Sequence, residues 1–170
     1  MTELTSTPSL VAGSVATVGE LFRASAQIHA ASTAIEYQGR QISYRELLDR
    51  VQRATAMLAS HGLRRGDRVA LLSHNRPEYF EVELAAANLG VMTACLNWRL
   101  SPRELAYCIE LVSPKLVIVE AEFGGNLAAV ENCEVIEIGV HYERLLQQHN
   151  GQPAPISADC EDGLVILYTT

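Results

Sequence analysis

The chain has 170 residues, of which 48% are hydrophobic and 19% are charged, a balance that favours a folded domain and excludes an intrinsically disordered chain. The 20 acidic residues outnumber the 13 lysines and arginines, which gives a formal net charge of -7. An acidic surface of this kind argues against nucleic acid and anionic lipid as partners.

The sequence also lacks the signals of membrane insertion and of disulfide bonding. No apolar run approaches the ~20 residues that a membrane span requires. The first basic residue is Arg23, whereas a signal peptide begins with positive charge. The four cysteines form no C-x-x-C pair and are interpreted as reduced thiols. We therefore expect a cytoplasmic protein with no membrane span.

Helix-start signals recur along the chain after a flexible N-terminal arm, which the Ser, Thr, Ala and Gly content predicts for residues 1–16. Each signal is a cap residue followed three positions later by glutamate. The two side chains can then satisfy backbone N–H groups that the helix leaves free. The predicted caps are Thr17, Ser43, Asn75 and Ser101.

Helix ends and a hairpin are also predicted. Gly62 and Gly90 suit the left-handed conformation that ends a helix, and the helix after Ser101 must end before Pro114. Residues 34–42 indicate a small β-hairpin that turns at a Gln-Gly-Arg sequence.

Short runs rich in valine and isoleucine separate the predicted helices and favour strands that are buried on both faces. These runs are residues 69–72, 91–96, 116–119, 135–138 and 164–168. Strands that alternate with helices predict an α/β fold, with a mainly parallel sheet and helices on both faces.

Common catalytic patterns are missing from the sequence. It contains no G-x-G-x-x-G and no complete Walker loop. The five histidines show no metal-ligand spacing and are expected at the surface or at helix caps. No two carboxylates are placed for acid–base work. The residues alone therefore predict neither a catalytic residue nor a metal site.

Five short motifs occur in one register along the chain. They are SYREL (43–47), GDRVAL (66–71), NRPEY (75–79), LGV (89–91) and LNWRLSPREL (96–105). Together they resemble the start of the AMP-forming acyl-CoA synthetases, an adenylate-forming family that also includes luciferases and the adenylation domains of peptide synthetases. The resemblance covers residues 17–170. It implies the first subdomain of the family's large N-terminal domain, truncated.

The resemblance implies an ATP-dependent acid–CoA ligase that uses ATP, Mg and CoA and acts on a small carboxylic acid, either fatty or aryl. Acyl-AMP forms first, and CoA then displaces AMP. Arg99 matches an arginine that approaches the phosphates of CoA in some family members. The alternative is a solvated arginine ahead of a helix cap. Trp98 beside it is interpreted as a packing residue.

The last residues match the start of the family's ATP phosphate loop, a sequence of the type Tyr-Thr-Ser-Gly-Thr-Thr-Gly. Thr169 and Thr170 take its first two positions after Tyr168, while its glycines and lysine are absent from these 170 residues. Such glycines let backbone N–H groups approach phosphate oxygens. In these 170 residues we favour a frayed strand end over a phosphate site.

Two expectations follow for the 170-residue piece on its own. It should be inactive and bind ATP, Mg and CoA poorly, and it should associate with itself through the truncated surface, where the apolar run 164–168 lies. The alternative is a truncated family relative that serves as an interaction or regulatory module.

Overall fold

The computed structural model describes residues 16–127, 130, 133–151 and 155–168, so the predicted N-terminal arm lies outside the described residues except for Ala16. The helices are α1 (Val18–Ile28), α2 (Tyr44–Ser60), α3 (Pro77–Leu89), α4 (Pro102–Val112) and α5 (Val140–Gln148), with a 3-10 helix at Ala121–Leu127. The strands are β1 (Thr33–Tyr37), β2 (Arg40–Ser43), β3 (Arg68–Leu72), β4 (Met92–Cys95), β5 (Leu116–Glu120), β6 (Glu134–Ile138) and β7 (Val165–Leu167). In the part of the chain that is described, no helix is both long and apolar enough to cross a membrane.

The main sheet has the strand order β6-β5-β3-β4-β7, and every neighbouring pair in it is parallel. The prediction of an α/β fold around a parallel sheet is therefore confirmed. Strands β1 and β2 form a separate antiparallel hairpin, as the sequence predicted.

Alternate residues of the central strands enter two different hydrophobic cores. In β3, Val69 and Leu71 face a core that α2, α3 and α5 complete, whereas Ala70 and Leu72 face a core that α4 and the 3-10 helix complete. Strand β5 divides its residues in the same way. Because side chains alternate between the faces of a strand, these two cores place helices on both faces of the sheet.

The hairpin and α1 close one side of the domain. Ile42 of the hairpin packs with Leu47 and Val51 of α2, and Phe22 of α1 packs against this group. At Gly19, a Cβ atom would lie 2.3 Å from the Asn88 side-chain oxygen. Glycine at that position is what allows α1 to approach α3 so closely.

Three of the four predicted helix caps are confirmed. Thr17 and Ser101 form complete capping boxes with Glu20 and Glu104. Ser43 caps α2 by accepting from the backbone N–H of Glu46. Its box is only half formed, because the Glu46 carboxylate pairs with Arg40 instead.

The predicted cap at Asn75 is wrong. Arg76 is the N-cap of α3, with φ -149° and ψ 165°, and no side-chain hydrogen bond caps this helix. Pro77 at the first helical position forces the residue before it into an extended conformation, which moves the helix start one residue along the chain. The Glu78 carboxylate is taken by the Arg76 guanidinium, at 2.7 and 3.0 Å.

Burial on both faces is confirmed for the central strands and wrong for the outer ones. The residues of β3 are buried except Arg68, whereas Val165 and Leu167 of β7 are exposed. Strand β6 also exposes three of its five residues. The apolar runs were alike in composition, but the strand order decides which of them lie at the edges of the described sheet. Helix α5 was not predicted at all.

Candidate functional site at the carboxyl edge of the sheet

The neighbouring strands β3 and β5 are followed by strands that lie on opposite sides of this pair in the sheet. After β3 the chain passes through α3 to β4 on one side, and after β5 it passes to β6 on the other. In open parallel sheets such a reversal leaves a crevice beyond the carboxyl ends of the two strands, where ligands bind. We name this region the edge site, and it comprises His74, Trp98, Arg99, Glu120, Glu122 and Phe123.

The edge site is assembled from the segments that follow three different strands. His74 follows β3, Trp98 and Arg99 follow β4, and Glu122 and Phe123 lie in the 3-10 helix after β5. Since parallel strands end at one edge of their sheet, residues that are distant in sequence meet there.

The Glu120 carboxylate ties the β3 and β5 segments together. It accepts hydrogen bonds from the Ser73 hydroxyl at 3.0 Å, the His74 backbone N–H at 2.9 Å and the Arg76 guanidinium at 3.0 Å. Burial alone would raise the pKa of Glu120, but these hydrogen bonds and the Arg76 charge outweigh burial and hold that pKa below its usual value. Glu120 is therefore ionised at neutral pH.

The His74 ring is held by carboxylates on one side and by aromatic rings on the other. Its Nδ1 lies 3.3 Å from Glu120 Oε2 and 2.9 Å from Glu122 Oε1. Its centroid lies 4.5 Å from the Trp98 ring and 4.9 Å from the Phe123 ring. Rings at these separations attract each other through their edges and faces, so the side chain has a defined orientation.

His74, Glu120 and Glu122 also form a group that could hold a metal ion, because their ligand atoms all lie within 4.8 Å of one another. The sequence showed no metal-ligand spacing because these residues come from two strand ends. Ion pairing accounts for the same arrangement, however. Glu120 already pairs with Arg76, and the Glu122 side chain is 57% exposed. The group therefore carries no metal assignment.

Arg99 lies in the turn between β4 and α4. Its backbone N–H donates to the Asn97 side-chain oxygen at 3.0 Å, and the Leu100 N–H donates to the Asn97 carbonyl at 3.1 Å. Its guanidinium carbon lies 4.6 Å from the centroid of the Trp98 ring. Among the described residues, no carboxylate forms an ion pair with this guanidinium, so its N–H donors remain available to an anion.

The other two predicted site residues, Thr169 and Thr170, lie outside the described residues. The chain can be followed to Tyr168, whose hydroxyl donates to the Cys108 carbonyl at 2.7 Å. Strand β7 pairs with β4 so that Leu167 lies opposite Cys95. The carboxyl ends of β4 and β7 therefore lie side by side, at the same edge as Arg99.

A second group of charges, which we name the inner network, joins α2, α3 and α5. Arg50 donates to both oxygens of Glu81, at 2.5 and 3.0 Å, and to Glu143, at 2.6 and 3.1 Å. The hydroxyl of the fully buried Tyr142 donates to Glu81 at 3.1 Å. Burial raises the pKa of Glu81, although Arg50 opposes the rise.

Sequence reasoning missed His74, Glu120, Glu122 and Phe123 as members of one site. A usable signal was nevertheless present, because each of them ends or closely follows a Val- and Leu-rich run that was predicted to be a parallel strand. The inner network left no comparable signal, since its members belong to three helices whose relative rotation the sequence does not specify.

Residues 22–170 match the family model described as "AMP-binding enzyme", which covers most of the chain. The chain belongs to the AMP-binding enzyme family. This confirms the family that the five motifs indicated.

Among curated members of the AMP-binding family, the chain is 28% identical over 157 residues to 4-hydroxybutyrate--CoA ligase 2 of Metallosphaera sedula, covering 81% of this chain and 29% of that protein. It is 29% identical over 139 residues to feruloyl-CoA synthase of an Amycolatopsis species, covering 82% of this chain and 28% of that one. It is 38% identical over 84 residues to 3-hydroxybenzoate--CoA ligase of an Aromatoleum species, covering 49% of this chain and 16% of that one. The chain thus spans less than a third of the length of these relatives.

Solved structures of the family have the same fold. A Mycobacterium tuberculosis fatty acyl CoA synthetase superposes with a TM-score of 0.84 at 22% identity, over 91% of this chain and 32% of that one. A putative long-chain-fatty-acid CoA ligase from Rhodopseudomonas palustris gives a TM-score of 0.80 at 27% identity, over 91% of this chain and 42% of that one. The described sheet therefore has a fold that matches part of the N-terminal domain of adenylate-forming enzymes.

Proposed function

We propose that this chain is the first part of an ATP-dependent acid–CoA ligase that activates a fatty or aryl carboxylic acid. The observation that carries the proposal is the family match over residues 22–170. The names of the relatives support the ligase class, since several are CoA ligases for small carboxylic acids. ATP, Mg and CoA are the cofactors that this reaction requires.

In the proposed reaction the acid carboxylate attacks the α-phosphate of ATP, which gives acyl-AMP and pyrophosphate. The CoA thiol then attacks the acyl carbon and AMP leaves. Enzymes of this kind act mainly by positioning their substrates and stabilising phosphate charge. Within this chain, Arg99 would serve the second step by binding a phosphate of CoA, and Thr169 and Thr170 would begin the loop that binds the phosphates of ATP.

The geometry of Arg99 supports that role. The side chain is exposed at the carboxyl edge of the sheet, where ligands of parallel sheets bind, and it has no carboxylate partner in the described part. A guanidinium presents paired N–H donors that match two phosphate oxygens. The guanidinium also lies over the Trp98 ring, 4.6 Å from its centroid, which is a contact that a freely solvated arginine would lack.

The test compares two half-reactions in the full-length ligase. ATP–pyrophosphate exchange reports acyl-AMP formation, and the rate of thioester formation at varied CoA concentration gives the KM for CoA. Arg99→Ala should raise that KM about tenfold to a hundredfold, the effect of losing a charged hydrogen bond, and leave exchange unchanged. Arg103→Ala is the matched control, because Arg103 lies in α4 and has no assigned role. Equal loss in both half-reactions would indicate a folding role for Arg99.

The 170-residue chain alone is proposed to be inactive. It should give no ATP–pyrophosphate exchange above a blank without protein with fatty or aryl acids, because its sequence does not contain the glycines and the lysine of the ATP phosphate loop. Exchange well above that blank would contradict the assignment of the phosphate site to this loop.

We also propose that the 170-residue chain associates with itself. The alternative interpretation, a truncated relative that serves as an interaction or regulatory module, would require such a binding surface. Leu167 is 71% exposed, and Tyr107 and Leu111 of α4 are each 65% exposed. An open groove of about 560 Å³ lies between α4 and Tyr168. Burying several hundred Å² of apolar surface at ~25 cal/mol per Å² would favour a dimer. Sedimentation equilibrium should show a dimer that Leu167→Lys weakens, and a strictly monomeric chain would contradict this proposal.

A further inference from the structure

An aromatic ring orients the Arg99 side chain, whereas most other arginines of this chain are held by carboxylates or carbonyl oxygens. Arg50, Arg65 and Arg76 each form an ion pair that offsets their charge. Arg99 instead lies over the Trp98 ring at 4.6 Å from its centroid. A ring face attracts a guanidinium through its quadrupole and leaves the in-plane N–H donors free.

Trp98 is in turn fixed by residues from the other two strand ends. The Phe123 ring is stacked with it, with centroids 5.9 Å apart and planes 24° apart, and the His74 ring lies at 4.5 Å. Phe123 is only 8% exposed and belongs to the core beneath the sheet edge. His74 is held by Glu120 and Glu122. An unbroken series of contacts thus runs from the β5 edge through His74 to Trp98 and Arg99.

We infer that Trp98 is a positioning residue that holds the Arg99 guanidinium, fully charged and with its N–H donors free, for a phosphate of CoA, and that His74 and Phe123 clamp Trp98 in place. This inference rests on the proposed function of Arg99. Its physical basis is that an arginine held by a carboxylate loses much of its attraction for a phosphate, whereas one held by an aromatic ring keeps it. Ordering the side chain in advance also lowers the entropy cost of binding.

The inference is tested in the full-length ligase with variants at Trp98. Trp98→Leu keeps an apolar side chain but removes the ring, and it should raise the KM for CoA about twofold to fivefold, the size of an exposed cation–π contact. ATP–pyrophosphate exchange should not change, because acyl-AMP forms before CoA reacts. Trp98→Phe keeps a ring face and should restore most of the CoA affinity. A purely structural role for Trp98 would lower both half-reactions together.

A double-variant cycle separates this inference from the proposed function. In the Arg99→Ala background, Trp98→Leu should cause no further rise in the KM for CoA, because the residue that it positions is gone. If Arg99→Ala itself leaves that KM unchanged, the proposed role of Arg99 is wrong. If Arg99→Ala raises the KM while Trp98→Leu has no effect, or has its full effect in both backgrounds, the positioning role is wrong and the role of Arg99 stands.

Urea unfolding of each variant checks that it is folded. If Trp98→Leu does not fold, the cycle is repeated with Trp98→Met, whose unbranched side chain adapts more readily to the same space. The half-exposed position of Trp98, 36% accessible, favours folding of both variants.

Discussion

The inner network and the edge site each contain a glutamate that accepts hydrogen bonds from an arginine, but in two different surroundings. Glu81 of the inner network pairs with Arg50, and Glu120 of the edge site pairs with Arg76. Glu81 of the inner network is 1% exposed and bonded on several sides by Arg50 and Tyr142. The edge site places Arg99 and Glu122 in contact with solvent. An ion pair that is enclosed, as in the inner network, therefore stabilises the fold, whereas charged side chains that face solvent, as at the edge site, are available to a ligand.

The pKa values of the glutamates in the two regions are shifted in opposite directions. At Glu81 burial dominates and raises the pKa, whereas at Glu120 the hydrogen bonds of Ser73 and His74 and the charge of Arg76 outweigh burial and lower it. The difference follows from how much water each carboxylate loses and how many donors replace that water. Three predictions test this contrast.

The largest expected effect is on stability, from Arg50→Met. Removing one partner of a buried ion pair leaves Glu81 without its charge partner, so the free energy of unfolding should fall by roughly 3–5 kcal/mol. Urea denaturation measures the change. The matched control is Arg40→Met, because Arg40 and Glu46 form a pair whose side chains are 68% and 38% exposed. It should cost less than about 1 kcal/mol.

The double variant Arg50→Met with Glu81→Leu sharpens this test. Replacing both buried partners by apolar side chains removes the unpaired charge, so much of the lost stability should return. Equal destabilisation by Arg50→Met and Arg40→Met would mean that the inner network is no more enclosed than the surface pair.

The second prediction is that Glu81→Gln and Glu120→Gln respond to pH in opposite directions. The pKa of Glu120 is lowered on folding, so its contribution to stability is present above the unfolded carboxyl value of about 4.3 and is lost as pH falls through the folded value. The stability difference between wild type and Glu120→Gln should therefore shrink as pH falls below about 4.

The pKa of Glu81 is raised on folding, so the sign is reversed. Its contribution is fully present below about pH 4.3 and is lost as pH rises through the folded value. The difference between wild type and Glu81→Gln should shrink as pH rises. Urea unfolding curves recorded at several pH values from about pH 3 to about pH 8 measure both slopes, and slopes of the same sign would contradict the assigned contrast.

The sequence predicted the two regions unequally. Apolar runs and capping boxes were enough for the parallel sheet and for most helix starts, because both signals act over a few residues. The family motifs included Arg99. The partners of the inner network are 31, 61 and 93 residues apart, and their contacts depend on how three helices rotate against the sheet. Helical periodicity identifies the buried face of each helix but not which residues of two faces meet.

Two local failures have simple physical causes. The cap predicted at Asn75 was wrong because the rule for the residue before proline overrides the capping pattern when both apply. The prediction that β7 is buried on both faces was wrong, although its run was also expected at an open surface, because only the strand order places it at an edge of the described sheet.

The smallest expected effect is that of His74→Gln, which removes a ring from the edge site while keeping a polar side chain. The lost contacts with Trp98 and Phe123 should lower the free energy of unfolding by about 0.5–1.5 kcal/mol, well below the effect at Arg50. Trp98 is the only tryptophan of the chain, so its emission reports on the site directly and should shift to the red as water reaches the ring. His141→Gln is the control, since the described residues show no ring contact for His141, and it should change neither quantity. A loss of stability as large as that of Arg50→Met would show that the edge site is a buried structural element, and the proposed open site for a phosphate would then have to lie elsewhere.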